Sequence, residues 1–241
     1  MKIIEDLLST MNSDAPVRDI RLGQYWTAVL TRNCGLASSP HDNTHPHSDA
    51  PIKEAGRLTE RGGLDLARMA LSESPAEASI GMAAINSLLE VDEEQCVELN
   101  AADLLVEKGR DKKVALVGHF PFVKTLREAA GEFWVIERHP RTGDIPESEA
   151  WSYIPRADVV AITGSAFVNH TIEGLLALCS LNSYVVVLGP TTPLSPVLFD
   201  YGVDVISGTR VIEPETVLLY VSQGATFRQM KGVRLLTMRK L

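Results

Sequence analysis

The stretch Val114-Ala115-Leu116-Val117-Gly118-His119-Phe120-Pro121 decides the fold. Four apolar residues cut off by a glycine read as a strand covered on both faces, followed at once by a tight turn. The same form recurs along the chain. Residues 133–136, 159–162, 184–188, 203–206 and 217–221 are further apolar runs. Helical segments stand between several of them, over 123–130, 168–178 and 196–201. Strand and helix in alternation predict a mostly parallel sheet with right-handed crossovers. Residues 111–241 therefore read as a Rossmann-like, doubly wound α/β domain.

Upstream the pattern differs. Residues 2–12 suit a short amphipathic helix. Two strand-like runs, 17–22 and 26–31, flank Gly23-Gln24 and suggest a hairpin, which 34–38 extends. Residues 39–57 are polar, carry Pro40, Pro46 and Pro51, and read as loop. A helix is predicted over 62–71. Ser74-Pro75-Ala76-Glu77 then carries a helix-start signature, and Ala78, Met82, Ile85 and Leu89 share a face of the helix it opens. Gly81 inside that helix costs about 1 kcal/mol relative to Ala. Such a glycine implies a close backbone approach by another element or by a ligand. Asn100 can cap a helix over 101–108 that Gly109 ends. Residues 1–110 thus read as a smaller α+β domain.

Ligands of open α/β sheets bind beyond the C-terminal ends of the strands. Gly118, His119, Phe120 and Pro121 follow the first strand, where an imidazole can serve as acid, base or metal ligand. Glu137 ends the second strand, at the spacing from Gly118 at which a Rossmann domain holds a ribose hydroxyl. Thr163-Gly164-Ser165 follows the third strand and can offer hydroxyls and amides to an anion. Asn169 or Thr171 would cap the next helix. Gly189-Pro190-Thr191-Thr192 follows the fourth strand, and Ser207-Gly208-Thr209 the fifth. All should meet at one sheet edge. His170 and Glu173 share a helix face and read as a surface pair.

Other classes are excluded or weakened. There is no P-loop, HExxH, GxSxG, kinase signature or paired-carboxylate motif. The second and third glycines of a dinucleotide fingerprint are missing after Gly118, and so is a methyltransferase's glycine-rich loop. The net charge of −8 makes nucleic acid an unsuitable partner. No apolar stretch reaches the roughly 18 residues of a membrane helix, and no signal pattern opens the chain, so a cytoplasmic protein with no membrane partner is expected. Cys34, Cys96 and Cys179 are too scattered for a disulfide framework. His41, His45 and His47, with Asp42 and Asp49, form a proline-rich histidine segment without the fixed spacing of a specific metal site.

Val117-Gly118-His119-Phe120-Pro121, Thr163-Gly164-Ser165-Ala166-Phe167-Val168-Asn169 with Thr171, and Gly189-Pro190-Thr191-Thr192-Pro193 together resemble the heavy-metal chelation domain family. Arg21-Leu22-Gly23, Trp26-Thr27-Ala28-Val29, Ala55-Gly56 and residues 80–86 resemble the enolase-N-terminal-like domain that precedes it. The resemblance spans nearly the whole chain. It implies a site in a cleft between the two domains and a transition-metal ion or metal chelate as the bound group. It implies no enolase chemistry, because the barrel that carries that site is absent. The expected function is binding or processing of a small anionic ligand, a heavy-metal ion or its chelate, with Gly81 and Asn86 closing the cleft from the N-terminal side. An enzyme using a nucleotide-type cofactor is the alternative. Neither a catalytic residue nor an oligomeric state is legible, and a homo-oligomer stays open.

Overall fold

The computed structural model describes residues 1–40 and 52–240, and the histidine segment with His41, His45 and His47 lies outside them. The chain opens with α1 (Lys2–Ser9), which buries Ile3, Ile4 and Leu7 on one face. Three antiparallel strands follow, β1 (Asp19–Leu22), β2 (Trp26–Leu30) and β3 (Cys34–Ser38), in that spatial order. The Gly23 N–H donates to the Trp26 carbonyl at 2.8 Å and closes the first hairpin. Then come α2 (Gly63–Arg68) and α3 (Pro75–Leu88). Ser74 caps α3 by accepting from the Glu77 N–H, and Pro75 fills its first turn.

Helix α3 is buried nearly all round, from Glu77 to Leu88. Two glycines make this fit. A Cβ on Gly35 of β3 would stand 2.1 Å from the Ala83 carbonyl oxygen, and one on Gly81 would stand 1.9 Å from the Ala70 backbone nitrogen. The close approach expected at Gly81 is therefore made by another element, the single 3-10 turn Met69–Leu71.

The larger sheet draws on β4 (Cys96–Val97), β5 (Lys113–Val117), β6 (Glu132–Glu137), β7 (Ile145–Pro146), β8 (Val159–Thr163), β9 (Tyr184–Leu188), β10 (Val205–Val211) and β11 (Val233–Arg239). Its spatial order is β4-β11-β10-β9-β8-β5-β6-β7. From β7 to β10 all neighbours are parallel; β11 and β4 are antiparallel additions. Intervening helices are α4 (Ala101–Gly109), α5 (Val123–Ala129), α6 (Ala150–Tyr153), α7 (Ser165–Val168), α8 (Ile172–Leu178) and α9 (Pro214–Ser222). Alternate strand residues serve opposite faces. Val114, Leu116, Ala161 and Val186 pack with Leu104, Leu105 and Leu126 of α4 and α5. Ala115, Val117, Val160, Ile162 and Val187 join a core that runs through Phe167 to Ile80 and Met82 of α3. This double covering is what the unbroken apolar runs encode.

Several boundaries differ from the sequence reading. Residues 217–221 are not a sixth strand but lie in α9, with Pro214 in its first turn and Val217, Leu218 and Val221 buried at helical spacing. A short apolar run fits either state, and Pro214 with Glu215 tips it to helix. The strand expected there is β11, whose Arg234, Thr237 and Arg239 interrupt its apolar pattern. The fifth strand starts at Val205 and not 203, and runs on to Val211. The single helix expected over 168–178 is broken into α7 and α8 at His170, whose φ is +60°. Residues 196–201 form a 3-10 helix. Asn100 caps α4 as expected, its Oδ1 accepting from the Ala102 N–H at 3.0 Å. Both α4 and β4 pack into the layers of the larger sheet although they precede residue 110.

The two halves share their core. One apolar cluster runs from Ile3 to Met238, and another joins Ala28, Cys34 and Leu36 of the small sheet to Val217, Leu218 and Val221 of α9. Among the described residues no helix is long and apolar enough to cross a membrane. The three cysteines are free thiols. Burial pushes the Cys34 and Cys179 thiols up to about 12, so neither is a nucleophile at neutral pH.

Candidate functional site

Strands β5 and β8 lie side by side, and the chain leaves them in opposite directions. After β5 it builds outward through β6 and β7; after β8 it builds the other way through β9 and β10. That is the topological switch point of a doubly wound sheet, where neighbouring crossovers part and leave a crevice. A cleft of about 540 Å³ opens there, within the usual range of roughly 300–1,000 Å³ for small-molecule sites. Its walls are the ends of β5 (Val117, Gly118, His119), β6 (Ile136 to His139) and β8 (Thr163, Ser165), with Glu147, Ala166 and the segment from Val168 to Thr171. Ser38, Ser39, Pro40, Glu73 and Pro75 line it from the N-terminal half.

Gly118 has φ +101°, and a Cβ there would stand 3.0 Å from the Thr163 Cβ. Only glycine lets the chain turn so sharply against its neighbour. The turn delivers His119 into the cleft, with its Nε2 2.8 Å from Asp144 Oδ2. The Asp144 side chain is 5% exposed and that of His119 23%. The Arg141 N–H donates to the same carboxylate oxygen at 2.9 Å, across a turn completed by Gly143 at φ +90°. Burial alone would raise the Asp144 pKa, but the Arg141 amide and the His119 ring outweigh it, and the carboxyl titrates below its ordinary value. An ionised Asp144 favours the imidazole proton on Nε2, the tautomer that carries its lone pair on Nδ1. Among the described residues nothing hydrogen-bonds Nδ1.

The sign of the pH effect follows. Because Asp144 titrates lower when folded than when unfolded, its contribution to stability is full above the ordinary Asp value of about 3.9. It is lost as pH falls through the folded value. Denaturant unfolding between about pH 5 and 2 should show a steeper loss in the wild type than in Asp144→Asn. Equal slopes would mean that the pair does not form in solution.

Of the residues expected to bind ligand, Gly118, His119, Glu137, Thr163, Ser165 and Asn169 line the cleft. Asn169 also turns the chain into α8, its Oδ1 accepting from the Thr171 N–H and hydroxyl. The others serve differently. Phe120 stacks on Phe122 at 5.2 Å, and its ring lies beside both Gly118 and Gly189. Pro121 is exposed outside the cleft. Gly164 is packed so closely that a Cβ would stand 2.5 Å from Thr192 Oγ1. None of Gly189, Pro190, Thr191 and Thr192 lines the cleft, and the end of β3 docks on Thr191. There the Ser38 N–H donates to Thr191 Oγ1 at 2.9 Å, and Asn86 Nδ2 donates to the carbonyls of Thr191 and Leu36. Asn86 thus ties the halves together outside the cleft, and Gly81 lies against Ala70.

His170 and Glu173 are not a surface pair. His170 Nε2 donates to the Ala70 carbonyl at 2.8 Å, and Glu173 Oε1 accepts from the Ile3 N–H at 2.7 Å. Both clasp the N-terminal half. Asp144, Arg138, Glu147 and Glu73 were missed. The only signal for Asp144 was Thr142-Gly143-Asp144, a turn beyond the second strand. Glu73, Glu137 and Glu147 line the cleft together with Arg138, the one arginine among its described lining residues, whose Nε lies 3.5 Å from Glu147. Among the described residues no three His, Cys, Asp or Glu side chains converge as ligands for a metal ion.

Two family models, both described as "Putative heavy-metal chelation", match the chain, DUF4213 over residues 4–89 and DUF364 over residues 100–240. An uncharacterized protein of Methanocaldococcus jannaschii is 27% identical over 239 residues, covering 94% of this chain and 91% of that one. A crystal structure of a DUF364 protein of unknown function from Desulfitobacterium hafniense superposes with a TM-score of 0.84 at 26% identity, covering 99% of this chain and 97% of that one. A second, from Pyrococcus horikoshii, has the same fold with a TM-score of 0.84 at 21% identity, covering 99% and 98%.

Proposed function

The chain belongs to the DUF364 family, and on that premise we propose that it binds a small metal chelate in the cleft between its two halves. The observation that carries this reading is the switch-point cleft itself, with the Asp144-held imidazole of His119 on one wall. The family's description names a metal. The carboxylates of Glu73, Glu137 and Glu147 suit its charge, and the hydroxyls of Thr163 and Ser165 can bond the oxygens of the molecule that carries it.

A second reading keeps one specific observation. Glu137 lines the cleft beside Gly118, the relative position of a ribose-binding carboxylate. A nucleotide-type cofactor would use it. Against this, residues 119–123 after Gly118 contain no glycine, where a dinucleotide loop needs further glycines to let the backbone approach pyrophosphate.

Thermal unfolding of the untagged protein separates the two. A ligand at 100 times its dissociation constant adds about 2.7 kcal/mol, a shift of roughly 5–11 °C for a chain of this size. Metal chelates are expected to produce it and nucleotides are not. A shift with nucleotides and none with any chelate would reverse the assignment.

A further inference from the structure

We propose that the metal reaches this cleft already chelated, with an open coordination position that the Nδ1 of His119 fills. The proposal rests on the chelate reading above and names the residue and the coordination state. Three observations carry it. The first is the orientation of the ring. A ligating histidine nearly always donates its other N–H to a carboxylate or carbonyl, which fixes the tautomer and raises the basicity of the ligating nitrogen. His119 has that arrangement: Nε2 faces Asp144 at 2.8 Å, Asp144 is held in turn by the Arg141 amide, and Nδ1 has no hydrogen-bond partner among the described residues.

The second is the poverty of the wall's described residues in further ligands. A bare transition-metal ion asks for at least four donors. No three candidate side chains converge among the described residues. One imidazole suits a metal whose remaining positions a small molecule already occupies.

The third is size and charge together. The cleft measures about 540 Å³, far more than an ion with a few waters of about 30 Å³ each. Glu137 and Glu147 can offset the cationic metal centre, while the Thr163 and Ser165 hydroxyls can donate to the chelator's oxygens. The described residues of this wall suit a metal that arrives already chelated.

Copper(II) nitrilotriacetate is the probe, because it leaves coordination positions open and contains no imidazole. The protein used is a His41→Ala, His45→Ala, His47→Ala variant, which removes the histidine segment as a competing binder. Pulsed electron paramagnetic resonance reads the remote ring nitrogen of a coordinated imidazole. One imidazole is expected at saturation, and it should disappear in the additional His119→Ala variant with at least a tenfold loss of affinity. Asp144→Asn should keep the imidazole signal and weaken binding by about 10–100-fold. His119→Ala is compared only if its melting point stays within a few degrees of the parent's; otherwise His119→Asn replaces it. The proposal is overturned if no imidazole couples, if the signal survives loss of His119, or if free nitrilotriacetate appears because the protein has stripped the copper. A thermal shift by chelates without an imidazole signal sinks this inference alone. No shift by any chelate sinks the reading beneath it.

Discussion

Gly81→Ala should lower the stability of the fold by about 3 kcal/mol or more, although alanine is the better helix former. Helix propensity alone favours the substitution by about 1 kcal/mol. The added methyl, however, would stand 1.9 Å from the Ala70 backbone nitrogen and 2.5 Å from its Cα. Backbone on one side and a fully packed helix on the other leave nothing that can give way cheaply, so overpacking outweighs propensity. The melting point should fall by roughly 6–12 °C. Gly174→Ala is the matched control. It lies inside α8 with nothing within 4 Å of its added methyl, and should gain up to about 1 kcal/mol. If both substitutions move stability the same way, the contact with the Met69–Leu71 turn is not as tight as described.

Phe167→Ala is expected to cost about 3–5 kcal/mol. The ring is fully buried, and it belongs to the core shared by the larger sheet and α3. It sits in α7, a single turn whose neighbouring residues Ser165, Ala166, Val168 and Asn169 all line the cleft. Removing the ring therefore leaves a cavity and also releases that wall. Chelate binding should weaken in the folded fraction, measured by titration below the melting point. Phe167→Leu fills most of the space and should lose less than half as much stability. A loss below about 1 kcal/mol for the alanine variant would show that α7 is held by something else.

The larger sheet was legible because both its faces are covered. Val114 to Val117 and Val159 to Ile162 alternate between two apolar clusters, so their apolar runs have no polar break. The same rule misled at Val217, where a helix buried against the small sheet produces an equally apolar run. Strand β11 escaped notice because Arg234 and Arg239 point out to ion pairs or solvent while Leu236 and Met238 are buried. Edge and antiparallel strands carry that mixed pattern. The cleft was half legible. Strand-end geometry placed Gly118, His119, Glu137, Thr163 and Ser165 together, since every parallel strand points its C-terminus the same way. It did not reveal that Phe120 would lie beside Gly189, or that Thr191 would be taken up by Ser38 and Asn86. The contacts of Thr191 span more than a hundred residues and that of Phe120 about seventy, with no local signature. Asp144 is hidden for a related reason, as it reaches His119 through a turn fixed by Gly143. At Gly81 and Gly164 a glycine announces that something comes close; only the folded chain says what.

The clasps between the halves have a kinetic meaning. Ile3 is held by Glu173, Asp6 by Tyr201, Ala70 by His170, and Ser38 and Asn86 by Thr191. They surround a common apolar interior, so the walls of the cleft cannot swing apart without exposing it. On the chelate reading proposed above, the ligand meets two halves that are already joined. None of its affinity is spent on selecting a rare closed state. Its rate of arrival is then set by diffusion and orientation at the mouth, with no closure of the two halves to wait for, and its residence time by how well it fits.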